Sequence, residues 1–474
     1  MSEKQKILTT YLITFIYLAV NIFLIAYGFY WLLLLPVVFI IIYFYFFRLD
    51  YIILLITFCT PLAINFKLSS QGLALSIPTE PLMFGVLIIF IFKLLYDSSY
   101  DLKIFKHPVS IAIIFNLCWI LITSITSQLP VVSFKFLLAR LWFIVPFYFV
   151  ALLMFKDRMA IKKFSWLYII PLLGVIFYST ISLYLWGFEE KAAHWVMTPF
   201  YNDHTAYGAV ISFFIPVVFG YLFDKGYLKS TKFFIGLSLA ILLIGLILSY
   251  SRAAWISLFV SVIIALILLY RIKLKWVLLG IIAIIALSFV YKSEIFWKLE
   301  KNKQDSSTNL AEHIESISNI TTDASNLERI NRWNSAFRMF GEHPFWGIGP
   351  GTYQFLYAPY QHSQEKTIIS TNAGDRGNTH SEYIGPLTEE GVIGFISVLG
   401  IFITIIYTGI KVYKRSADKQ VKLLSLVFLC GLITYLIHGF LNNFLDTDKA
   451  SVPFWGFAAV LVALDLYHSN KEKT

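Results

Sequence analysis

Charge is scarce in this sequence. Asp, Glu, Lys and Arg make up 14% of the 474 residues, while 58% are hydrophobic. A soluble domain this apolar could not keep a solvated surface. Cysteine is rarer still. Cys59, Cys118 and Cys430 all lie in apolar runs, so no disulfide framework or Cys-based zinc site is expected. No small-residue cleavage site interrupts the first apolar run, which starts near Leu8; it reads as an uncleaved span, not a signal peptide. No internal period of about 20–50 residues is present, which argues against a solenoid.

What the chain has is hydrocarbon. Solid runs of Leu, Ile, Phe and Val recur, each about 18–22 residues long and able to cross a ~30 Å apolar layer as a helix. They do not alternate as barrel strands do, so helices are expected, each satisfying its own backbone groups. Spans are expected near 9–27, 29–47, 50–66, 81–97, 108–127, 132–154, 165–186, 204–223, 232–250, 253–270, 275–291, 389–411, 421–440 and 450–467.

The net charge is +10, and its placement explains it. With the N-terminus cytoplasmic, most Lys and Arg fall in inside segments such as Lys156–Lys163, Lys225–Lys232 and Lys411–Lys422. The short outside connections hold only Lys67, Lys191, Arg252 and Lys449. This is the positive-inside pattern. The basic balance is therefore topology, and no nucleic-acid partner is expected. The chain divides into helices with short loops over 1–291, one large outside loop over 292–388, and C-terminal helices over 389–474. Within the loop, 299–326 is Ser/Asn/Asp/Lys-rich and reads as a surface segment; Asn319-Ile320-Thr321 fits a glycosylation sequon.

The loop carries the residues capable of chemistry. On a helix over 327–340, Arg329 falls in an apolar arc with Ile330, Trp333, Phe337 and Phe340. Arg332 falls at its edge and Arg338 opposite. A guanidinium on a buried face needs an anion. Two readings fit: a loop carboxylate or an anionic substrate group. Arg140, within an apolar run, is a functional-site candidate or one half of a structural pair. Arg252, at an outside turn, either snorkels to the interface or serves a site. Arginines near one membrane face suit a diphosphate, because their forks bind phosphate oxygens bidentately. His380, in Asn378-Thr379-His380-Ser381-Glu382-Tyr383, has the chemistry of a general base or a phosphate donor. Glu382, Glu389 and Glu390 follow it. Asp203 and His204 open a span on the same side, Asp203 either lining the site or capping the helix. Gly347-Ile348-Gly349-Pro350-Gly351 lacks the Lys of a Walker loop and reads as a tight turn. Asp446-x-Asp448 has metal-pair spacing but lies in a short outer turn; no metal and no cofactor are expected.

These motifs in this order resemble the O-antigen ligase / Wzy-type O-antigen polymerase superfamily of bacterial polytopic glycosyltransferases. The matching pieces are Ser251-Arg252-Ala253-Ala254-Trp255, Arg329-x-x-x-Trp333 with His343-Pro344-Phe345-Trp346-Gly347, and His380-Ser381-Glu382-Tyr383 with Glu389-x-Gly391-x-x-Gly394. Asn202-Asp203-His204 is similar to a further segment of that group. The resemblance implies an all-α, GT-C-like polytopic bundle of about 12–14 spans in the inner membrane, with its site facing the periplasm. It implies metal-independent transfer of a glycan from undecaprenyl diphosphate to a sugar hydroxyl of lipid A–core. His380, Arg329 and Arg252 match the family's essential residues. Arg140, Arg252, Arg329, Arg332, His204, Trp333, Glu382 and Glu389 would bind diphosphate or glycan. A repeat-unit polymerase for O-antigen, capsule or exopolysaccharide and a protein O-glycosyltransferase share these motifs. A polysaccharide transporter or flippase fits less well, since no two related halves are visible.

A topology reporter fused near Asn309 is expected to be active only on the periplasmic side. Activity confined to the cytoplasm would overturn the orientation.

Overall fold

The computed structural model describes residues 2–67, 74–96, 101–273, 275–280, 282, 324–367, 370 and 377–469. The span expected near 275–291, the 299–326 segment and the Asn319 sequon lie largely or wholly outside them. The chain is an all-α, multi-pass membrane protein. Among the described residues, eleven helices are long and apolar enough to cross a membrane. With the long helix of the large loop they are numbered in chain order: α1 Glu3–Ala26, α2 Thr79–Tyr96, α3 Pro108–Ile125, α4 Pro130–Met154, α5 Arg158–Leu185, α6 His204–Tyr221, α7 Lys229–Leu248, α8 Arg252–Leu269, α9 Ala324–Glu342 in the loop, α10 Gly391–Arg415, α11 Lys419–His438 and α12 Asp448–His468. Shorter apolar helices, Trp31–Phe47 and Leu49–Leu62, stand where spans near 29–47 and 50–66 were expected.

Two compact units are present, Met1–Ile53 and Leu54–Thr474. In the first, Ser2 and Gln5 close a reciprocal cap on α1, and Tyr17 donates to Leu32 O at 3.1 Å. In the second, α6, α11 and α12 are the most deeply buried helices, while α7 and α8 leave most of their surface exposed. Lipid supplies no hydrophobic drive between helices, so close approach depends on small residues. A Cβ on Gly431 of α11 would lie 2.6 Å from Phe213 O of α6, and one on Gly456 of α12 would lie 2.3 Å from the Phe164 ring of α5. Around Pro146, which lacks an N–H, α4 widens into a π-helical turn over Val145–Val150. A two-stranded antiparallel hairpin pairs Ile64–Lys67 with Ala74–Ile77, Ile64 opposite Ile77.

Within the second unit, contacts sort the connections into two ends. At one end, Lys162 pairs with Asp224 at 2.6 Å, Arg158 with Asp418 at 2.5 Å and Lys411 with Asp465 at 2.6 Å. These tie together the segments expected inside. At the other end, Asn65 meets Asn202, Ser133 meets Pro350, and Arg329 meets Leu441. The large loop therefore packs on the same end as the start of α6, the start of α8 and the α11–α12 turn.

Gly220 of α6 faces α11 so closely that a Cβ would lie 2.2 Å from Val427 Cγ1, whereas Gly236 of α7 has open space. Gly220→Ala is expected to cost about 1–3 kcal/mol by overpacking. Gly236→Ala should stabilise by about 0.5–1 kcal/mol through helix propensity. Thermal unfolding in detergent compares them; equal effects would contradict the packing.

Candidate active site

The Gly-rich segment forms a turn bolted to the start of α10. Ile348 N–H donates to Thr388 O at 3.2 Å, Gly349 N–H to Glu389 O at 2.9 Å, and Val392 N–H to Pro344 O at 2.9 Å. Gly347, Gly349, Gly351 and Gly391 all adopt positive φ. At Gly349 a side chain has no room, since a Cβ would fall 1.9 Å from Ser127 Oγ. Glu389 was expected at the substrate. Both its carboxylate oxygens are instead taken by this turn, accepting from the N–H groups of Gly351 and Tyr353 at 2.9 Å each. Burial outweighs those two hydrogen bonds and pushes its carboxyl up to about 7.

The loop helix α9 buries a different face from the one its apolar arc suggests. Glu328, Asn331, Arg332, Ser335, Ala336 and Met339 are buried, while Ile330 and Phe337 are exposed and Arg329 is half-buried. The reason is a polar network that only the fold assembles. Arg332 Nε donates to Glu328 at 2.9 Å and its Nη1 to Asn378 O at 3.1 Å. Asn331 donates to Gln361 at 2.9 Å, and Trp333 Nε1 to Thr379 O at 3.0 Å. Burial works to raise Glu328, but hydrogen bonds from Ser370 and Arg332 hold it below the usual carboxylate range. Arg332 and Trp333 thus hold the 378–379 backbone. Arg338, expected opposite the apolar arc, is tied to Tyr360 O and to Glu365.

The next residue is His380. Its backbone is left-handed, φ +51°, with its N–H on Asn378 Oδ1 at 3.1 Å. Burial pushes the imidazole down to about 4, and the charges of Arg332 and Arg329 push the same way. Arg329 donates through Nε to the carbonyl of Leu441 at 3.2 Å. His204 Nδ1 meets Ser249 O at 2.9 Å, and its ring stands 4.1 Å from that of His194. Asp203 caps α6, accepting from Thr205 and Ala206 N–H at 2.7 and 2.8 Å. Asp203 and Arg329 lie within electrostatic reach of both His380 and His438. Half-buried Arg252 starts α8, and the backbone of the next residue, Ala253, flanks His438. The fold therefore gathers Arg329, His380, His204 and Asp203 at one end of the bundle, the end at which Arg252 starts α8.

Arg140 belongs to a second cluster. Its Nη1 donates to Leu445 O at 3.0 Å and its Nη2 pairs with Asp446 at 3.1 Å. Glu382 Oε1 accepts from Tyr435 Oη at 2.5 Å and Leu445 N–H at 2.9 Å. Burial raises Glu382 to about 7 and Glu390 to about 8, against the pull of Arg140. Asp448 accepts from Thr79 Oγ1 at 2.6 Å and Ser76 Oγ at 3.4 Å. The turn 439–447 joins the two clusters. Sequence reading singled out only Asp446 there, for its metal-pair spacing, and passed over the rest of the turn and His438, whose Nε2 meets Asn442 Nδ2 at 3.1 Å. The signal was a His, two Asn and an Asp between two spans.

Residues 237–399 match the family model described as O-antigen ligase. No curated protein matches the chain. The matched stretch contains Arg252, α9, the Gly-rich turn, His380 and Glu389–Gly394, and leaves out Arg140, His204 and the 439–447 turn.

Arg332→Ala would strand a buried carboxylate, Glu328, at a cost of about 3–5 kcal/mol. Arg338→Ala breaks a partly exposed pair worth about 0–1 kcal/mol. Hydrogen exchange at 377–380 should quicken strongly in the first variant and little in the second. The reverse order would contradict the buried face assigned to α9.

Proposed function

We propose, from the match of residues 237–399 to the O-antigen ligase family model, that the chain transfers a glycan from undecaprenyl diphosphate to a sugar hydroxyl of lipid A–core. The reaction takes place at the periplasmic face of the inner membrane. The observation that carries this reading is the convergence of Arg329 and His380 at the loop end of the bundle, the end at which Arg252 starts α8.

The acceptor hydroxyl attacks the anomeric carbon of the donor. The bond from that carbon to the phosphate oxygen breaks, and its electron pair leaves with the lipid diphosphate. Arg329 and Arg252 offset the charge that grows there, which needs no metal. His380 takes the hydroxyl proton. Burial and two arginines keep its ring neutral at pH 7 and able to accept. A diphosphate bound against those arginines cancels part of their repulsion, so the ring becomes more basic when the donor is present. Arg332, Trp333 and Glu389 act at one remove, holding the backbone on which His380 and the Gly-rich turn sit.

Purified protein with a lipid-linked glycan and lipid A–core should form the capped core. Elongation of the lipid-linked glycan instead would make the chain a polymerase. His380→Ala should lose about 10²–10⁴-fold in transfer and keep donor binding. Transfer needs the neutral imidazole, so it falls as pH drops through the ring's pKa. The acid limb of kcat/KM, which reports the free enzyme, should lie near 4; that of kcat should lie higher. A shared limb at about 6.5, the ordinary value for His, would refute the depressed ring.

A further inference from the structure

We infer that Arg140 is a positioning residue that shapes the His380–Arg329 site through the 439–447 turn and does not hold the donor diphosphate. The inference rests on the transferase reading above. Both arms of the Arg140 fork are engaged by neighbouring residues of that turn, Leu445 O at 3.0 Å and Asp446 Oδ1 at 3.1 Å. A guanidinium binds phosphate best with this same fork. Around it stand three carboxyls, those of Asp446, Glu382 and Glu390. A diphosphate there would have to displace Asp446 from the guanidinium. The adjoining cavity, lined by Arg140, Asn116, Glu382, Glu390 and Trp455, also contains two buried polar atoms without a hydrogen-bond partner, Glu390 Oε2 and Trp455 Nε1. Water satisfies both atoms, accepting from the Trp455 N–H and meeting the Glu390 carboxyl.

The turn transmits what Arg140 holds. Leu445 accepts from Arg140 and donates to Glu382 at 2.9 Å. Glu382 N–H returns to Gly439 O at 2.8 Å, two residues after His380. Phe444 N–H donates to Tyr435 Oη at 3.0 Å, and Tyr435 Oη donates to Glu382. Leu441 O accepts from Arg329. Loss of the Arg140–Asp446 pair therefore shifts the carbonyl that seats Arg329 and the carboxyl that anchors the His380 segment.

The test uses Arg140→Gln, Arg140→Lys, Asp446→Asn and the double variant Arg140→Gln/Asp446→Asn in the full-length protein. Donor binding is read with a fluorescent polyprenyl diphosphate, transfer with the lipid-linked glycan, and hydrogen exchange over 439–447 and 377–382 without substrate. Arg140→Gln and Asp446→Asn should each lower kcat, up to about 10²-fold, the scale of a 1 Å misplacement. Donor affinity should fall far less than kcat and by the same factor in both single variants. The double variant should be no worse than either single one, because both break one interaction. Arg140→Lys should recover part of kcat. Exchange should quicken in both segments in Arg140→Gln and in Asp446→Asn. Weakened donor binding in Arg140→Gln with a silent Asp446→Asn would make Arg140 a phosphate ligand and overturn the inference. So would unchanged kcat in both. Asp446 is 42% exposed at its side chain, so Asp446→Asn remains informative if an Arg140 variant fails to fold. No transfer by the wild type would sink the transferase reading, whereas the exchange measurement would still judge the link from Arg140 to the turn.

Discussion

Arg140 and Arg329 come from a spanning helix and from the large loop, and both donate to carbonyls of a single turn between α11 and α12. Leu441 and Leu445 lie between the two helices, so their carbonyls have no place in an intrahelical ladder and take donors from elsewhere. A guanidinium is a natural partner for them, and at membrane depth it needs them as much as they need it. This exchange docks the loop onto the bundle. Without it, Arg329 would lose its seat on Leu441 and Glu382 would lose the Leu445 N–H that orients its carboxyl.

Two electrostatic neighbourhoods grow from that turn. On one side Arg329, Arg332 and burial drive His380 toward its neutral form. On the other, burial drives Glu382, Glu389 and Glu390 toward theirs. A neutral imidazole thus sits among cations while carboxyls are kept from adding negative charge nearby. That arrangement suits an anionic ligand, which is drawn to the first neighbourhood.

The spans were legible because a helix must satisfy its own backbone in lipid, and this leaves a continuous apolar run in the sequence. The Gly-rich turn and the cap at Asp203 were legible because positive φ and free N–H groups demand particular residue types. Arg329, His380 and His204 were legible as polar residues with little structural reason to be where they are. The buried face of α9 was not. Its apolar arc points one way, but Glu328, Asn331 and Arg332 find partners in 361–379 that outweigh it. An amphipathic wheel counts hydrocarbon and cannot count hydrogen bonds to a distant segment.

The amino-acid order alone therefore determined the class of molecule: an all-α chain crossing a membrane many times, with one long polar loop. Local backbone needs and the hydrophobic cost of each segment decide those features, and both are written in consecutive residues. Only the tertiary structure decided which charges face each other. Arg140 was one more cation near a membrane face until Asp446, far along the chain, was found against it. Glu389 was a candidate ligand until two backbone N–H groups closed on its carboxylate. Partnerships of this kind depend on how helices pack across hundreds of residues, and no periodicity or spacing encodes that.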